Sequence, residues 1–132
     1  MMLDNGSLYG SRCRMSPFSV TIHHGPYLHL VGSGDANLSD LRGLVDLAAR
    51  VAADAGNRRV LADLISINVL FSDEDFRKLQ LYAVETLFGL ERLAYTVPAC
   101  YNRDKSDPPV HRNGLTARAF TGLHPACDWI AS

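Results

Sequence analysis

The sequence predicts an α/β domain: a mixed, mainly parallel sheet with an antiparallel hairpin at its N-terminal side and helices packed on the sheet. Three observations carry this. Two β-rich runs, FSVTIHH and YLHLV, flank Gly25-Pro26 and read as a hairpin. Segments of helical period at 39–55 and 72–89 then alternate with short apolar runs, RRVLADLISI and ERLAYTVPA, the pattern of strands joined by helical crossovers. Finally, 132 residues at 47% apolar and 20% charged suit one domain that buries a core without disulfide staples.

Residues 1–16 are polar, contain Gly and Ser, and show no period; they read as an N-terminal arm ahead of a single domain over 17–132. In the hairpin, a three-residue loop His24-Gly25-Pro26 places Ile22 opposite Leu28 and Val20 opposite Leu30. These four make one apolar face, with Ser19, Thr21, His23, Tyr27 and His29 on the other; a two-residue loop mixes the faces.

Residues 39–55, SDLRGLVDLAARVAADA, repeat Leu41, Leu44, Val45, Ala48, Val51, Ala52 and Ala55 at helical spacing. Ser39 is the expected N-cap, Asp40 suits the first turn and Gly56 the C-cap. Gly43, inside the helix, costs about 1 kcal/mol against alanine and points to a close backbone approach. RRVLADLISI (58–67) reads as a buried strand. Ser72 caps the second helix, with Asp73, Glu74 and Asp75 complementing its dipole. That helix has a main stripe of Phe76, Leu79, Ala83 and Leu87, and a second of Leu81, Val84 and Phe88. ERLAYTVPA (91–99) is a strand stopped by Pro98. The polar stretch after it contains Pro108-Pro109, which breaks any continuous helix. LTARAF (115–120) is a last strand, and HPACDWIAS a closing helix docked by Trp129 and Ile130.

Lys+Arg 13 against Asp+Glu 14 gives a net charge of −1, which supplies no basic field for a nucleic-acid backbone. Cys13, Cys100 and Cys127 are odd in number and form no CxxC pair, so neither a disulfide framework nor a zinc site is expected. The first 30 residues hold no apolar signal region, and no run is long enough for a membrane span. A cytoplasmic location is the expectation.

These elements, with their landmarks, resemble the STAS superfamily, and within it the SpoIIAA-like group of small stand-alone bacterial proteins. The resemblance rests on four stretches: LHLVGSGDANLSDLRGLVDLA, RRVLADLISI with its terminal Asp63-Leu64, ERLAYTVP, and the ending RNGLTARAFTGLHPACDWI. It spans about residues 18–131. It implies a mixed sheet with helices packed on it. It also implies a choice of roles, since some relatives of this fold carry nucleotides or hydrophobic ligands. The CRAL-TRIO lipid carriers share the architecture. Anti-sigma-factor antagonists carry instead a phosphorylated serine at the helix after the second buried strand, in a D-S-[ST]-G-like turn. Here that region reads NVLFSDEDF. Ser72 is its candidate acceptor, with Ser66 the other. A phosphate on Ser72 would be drawn to the helix N-terminus and repelled by three carboxylates.

The remaining constellations are thin. His23 and His29 share a face but have no third ligand nearby in sequence, so no metal is expected. Ser66, His111 and Asp63 assemble a hydrolytic set only on paper, because no G-x-S-x-G elbow is present. GSGDAN lacks the third glycine of a dinucleotide fingerprint. Arg103, Lys105, His111 and Arg112 offer an anion site that Asp104 and Asp107 offset. The stripe Leu81–Val84–Phe88 is extra core or a partner surface.

The expected protein is a non-enzymatic binding module without a cofactor. It takes a partner protein or a small apolar or anionic ligand through Leu81, Val84, Phe88, Arg103, Lys105, His111 and Arg112. The alternative is a phosphorylation-switched regulator. A homodimer is expected, through the 1–16 arm or the Leu81–Val84–Phe88 stripe.

Overall fold

The computed structural model describes residues 16–97, 110–112 and 114–132. The arm, apart from Ser16, therefore lies outside the described residues, as do Cys13, Cys100, Arg103 and Lys105. The elements are β1 (Ser19–His23), β2 (Leu28–Ala36), α1 (Leu38–Ala55), β3 (Arg59–Val69), α2 (Asp73–Thr86), β4 (Arg92–Thr96), β5 (Val110–Arg112), β6 (Leu115–Phe120) and α3 (Leu123–Ala131). They build one six-stranded sheet in the order β1-β2-β3-β4-β6-β5. The pairs β2–β3, β3–β4 and β4–β6 are parallel, and both edges are closed by antiparallel hairpins. The mixed, mainly parallel sheet is the one the sequence predicts. β5 is an addition: the chain turns at Gly114 (φ 83°) and pairs Val110 with Ala117, inside the polar stretch for which no strand was expected.

The hairpin keeps its predicted faces but not its register. His23 pairs with His29 and Ile22 with Leu30, so the loop has five residues and each partner lies two places further along. A two-residue slip preserves which face a side chain takes. Tyr27 lies in the loop, outside the ladder, and packs with Cys127 of α3 against the cluster of Leu61, Phe120 and Ile130. Leu28 and Leu30 are buried, while Val20 and Ile22 pack partly buried against the same core.

One cap differs from expectation. Asn37, not Ser39, caps α1: Asn37 Oδ1 accepts from Asp40 N at 2.8 Å, and Asp40 Oδ2 accepts from Asn37 N at 3.0 Å. This reciprocal box satisfies two orphan donors at once, which a Ser39 start would leave open. Gly43 makes no close approach, since a Cβ there would meet nothing within 4 Å. The close approach is at Gly34 (φ 91°), where a Cβ would collide with the Pro17 carbonyl. Asp35 holds that crossing, its N–H donating to Ser16 O at 2.9 Å and its Oδ2 accepting from Ser16 N at 3.0 Å. Gly56 caps the C-terminus of α1 with φ 67°, and Ser72 Oγ accepts from Asp75 N at 3.2 Å to cap α2, both as expected.

α1 and α2 bury Leu41, Leu44, Leu79 and Val84 against one face of the sheet, over Leu28, Val60 and Leu93. α3 buries Ala126 and Ile130 on the other face, over Leu61, Ala94 and Phe120. The start of the sheet anchors the end of α3. Arg59 Nη1 donates to the carbonyls of Ile130 (3.1 Å) and Ser132 (2.7 Å). Arg92 Nη1 donates to Trp129 O (2.9 Å) while its guanidinium lies 5.1 Å from the centre of the Trp129 ring. These cations satisfy the carbonyls that a helix C-terminus leaves unpaired.

Candidate functional site

The two-helix layer does not fill the space over the sheet. A cavity of about 440 Å³ lies between α1, α2 and the strands. Its floor is Leu30, Val60, Ala62, Leu93, Ala117 and Ala119, and its roof includes Leu44, Ala48, Phe76, Leu79 and Ala83. Alanines on both walls explain it. Close packing needs large side chains opposite small ones, and here small residues face each other.

Three polar side chains join the lining: Gln80, Tyr95 and Arg112. Gln80 Nε2 donates to Tyr95 Oη at 2.8 Å, a bond from α2 to β4 inside the wall. Arg112 Nη2 stands 3.9 Å from Glu85 Oε2, so the strand edge and α2 share one charge pair. Leu81 and Val110 also line the cavity and remain 49% and 51% exposed, an apolar lip. A latch holds the two helices together: Tyr82 Oη donates to Asp46 Oδ1 at 2.6 Å, with Arg42 5.5 Å from the Tyr82 ring centre. The acceptor carboxylate raises the Tyr82 hydroxyl above the usual tyrosine pKa.

Of the residues singled out in the sequence, Leu81, Val84 and Arg112 come together at this cavity. Val84 parts from its predicted stripe: it is buried, whereas Phe88 is 64% exposed and stands apart from the lining. α2 ends at Thr86, so Phe88 no longer follows the helical period. His111 also stands apart, its Nδ1 3.0 Å from Thr116 Oγ1. Residues 103 and 105 lie outside the described part of the chain.

The other constellations separate. Ser66 sits exposed on β3 and His111 on β5, three strands away, about 14 Å at ordinary strand spacing. Asp63 Oδ1 instead accepts from Thr96 Oγ1 (3.1 Å) and Ile65 N (3.2 Å). The rings of His23 and His29 lie 5.7 Å apart, and among the described residues no group of three metal-binding side chains gathers. Burial lowers the His29 pKa below the usual imidazole value, opposed by the Asp63 carboxylate and assisted by His23. Among the described residues no helix is long and apolar enough to cross a membrane.

The sequence reading missed Ala62, Ala117, Ala119, Gln80 and Tyr95. The available signal was small residues recurring on the inward face of two strands, and a glutamine and a tyrosine among apolar neighbours.

No family model and no curated protein matches the chain. Among solved structures it is similar to the crystal structure of an uncharacterised protein from Shewanella loihica PV-4, of the DUF3478 family, described as having a SpoIIAA-like fold. The two share 15% sequence identity over 92% of this chain and 99% of that one, with a TM-score of 0.45.

Proposed function

We propose that this domain is a non-enzymatic binding module that holds a small apolar molecule between α1, α2 and the sheet. The single observation behind this reading is the cavity of about 440 Å³ with Gln80, Tyr95 and Arg112 as its polar lining. That size lies within the range of small-molecule sites, which are mostly apolar with a few placed polar groups. An apolar cavity of this volume lowers stability when empty, because its lining loses contacts; a ligand restores them. The experiment is native mass spectrometry of protein purified from its own cells. A small-molecule adduct on the 14.5 kDa chain, lost on denaturation, supports the reading; only the bare chain mass counts against it.

A second proposal concerns assembly. Leu81, Phe88 and Val110 are exposed large apolar side chains on or near α2 and the β5 edge, which favours a homodimer through this side. The same spectrum reads it as twice the chain mass.

A further inference from the structure

Resting on the cavity reading above, we infer that the molecule bound there is an uncharged alcohol: an apolar body carrying one hydroxyl that donates to Gln80. Three observations converge on this. First, the walls offer no place for a bare charge. Leu, Val, Ala and Phe side chains form most of the lining, and burying an unpaired ion against them costs far more than burying a hydrogen-bonded hydroxyl. Second, among the described residues the one charged side chain of the lining, Arg112, is already matched by Glu85 at 3.9 Å. A carboxylate ligand approaching Arg112 meets the Glu85 charge, and an ammonium ligand approaching Glu85 meets the Arg112 charge. The pair is charge-balanced and favours neither sign.

Third, the polar group in the wall beside α2 offers an acceptor. Gln80 commits its amide nitrogen to Tyr95 Oη. A carboxamide has one N–H₂ and one carbonyl oxygen, and the oxygen only accepts. A ligand that donates to that oxygen gains a hydrogen bond, whereas an ether, a ketone or a hydrocarbon does not. Primary aliphatic alcohols and phenols share this chemistry, and the cavity chemistry leaves the choice between a flexible chain and a flat ring to experiment.

The test is displacement of the fluorescent probe N-phenyl-1-naphthylamine from the full chain at neutral pH. The competitors are decan-1-ol, 2-naphthol, decanoate, decylamine and 1-methoxydecane. Decan-1-ol or 2-naphthol is expected to bind about tenfold more tightly than either ion, and the better of the two identifies the body. Decan-1-ol should exceed its methyl ether about fivefold, the worth of one buried neutral hydrogen bond. In Gln80→Met the alcohol should fall to the level of the ether while the ether stays unchanged. If that variant does not fold, the alcohol-to-ether ratio in the unaltered protein still decides. Decanoate matching or exceeding decan-1-ol overturns the inference while leaving the cavity reading intact. An alcohol no better than its ether does the same. Failure of the probe and of every competitor to bind overturns both.

Discussion

Gln80 on α2 and Tyr95 on β4 are joined by a hydrogen bond of 2.8 Å, from Nε2 to Oη, within a mostly apolar wall. The bond ties the helix to the sheet at the place where their side chains do not meet. Removing it with Tyr95→Phe leaves the Gln80 amide without this acceptor. The expected loss is about 1 kcal/mol, read as a lower urea midpoint with an unchanged slope. An unaltered midpoint would show that the pair does not help hold α2 in place.

Gly34 is expected to be the least replaceable glycine. Its φ is 91° and any Cβ runs into the Pro17 carbonyl. Gly34→Ala then carries both a left-handed backbone penalty and a collision, about 2–3 kcal/mol together. Gly43→Ala, with open space around the site, should instead stabilise α1 by up to about 1 kcal/mol. Thermal unfolding of the two variants should move in opposite directions, and a loss of the same size in both would contradict the assignment.

Ser72 accepts from Asp75 N at 3.2 Å. Ser72→Ala should cost about 1 kcal/mol, and Ser72→Asp close to nothing, since aspartate also caps. Chemical denaturation of both variants checks this. Should alanine leave the midpoint in place while aspartate abolishes capture of a specific partner protein, the serine is acting as a switch rather than a cap.

The His29 pKa is lowered by burial. The unfolded imidazole, near 6.5, therefore takes up its proton first as pH falls. The stability that His29 gives as a neutral side chain is complete above about pH 6.5 and declines below it, until the folded-state pKa is passed. His29→Gln should remove this component, so the gap between the two stability curves changes only on the acid side of pH 6.5. A gap that is constant from pH 8 to 5 would contradict the burial of the ring.

Much of the fold was legible because period and punctuation act locally. Helical spacing marked α1 and α2, Ser72 and Gly56 marked their ends, and alternation marked both faces of the hairpin. The misses came from groups that act at a distance. In the hairpin Tyr27 packs beside α3, outside the ladder, and no local rule reveals that. Asn37 displaced Ser39 as cap because Asp40 could answer it, and Gly34 mattered because Pro17 crosses it. The cavity was least legible. Ala62, Ala83 and Ala119 are unremarkable in the chain and leave a space only because the topology sets them around one volume. Leu81, Val84 and Arg112 reached it for reasons other than those that first marked them.

Filling the cavity tests the proposed function most directly. Ala62 lies on its floor beside Leu30 and Tyr95, and Ala62→Leu adds three carbons that point into the space. Urea unfolding and N-phenyl-1-naphthylamine titration should be measured on the same preparation. If the space is a ligand site, Ala62→Leu keeps or raises the urea midpoint, as cavity filling does, and weakens probe binding about tenfold or more. A drop of about 1–3 kcal/mol, the cost of overpacking a full core, with probe binding unchanged, would contradict a ligand cavity between α1, α2 and the sheet.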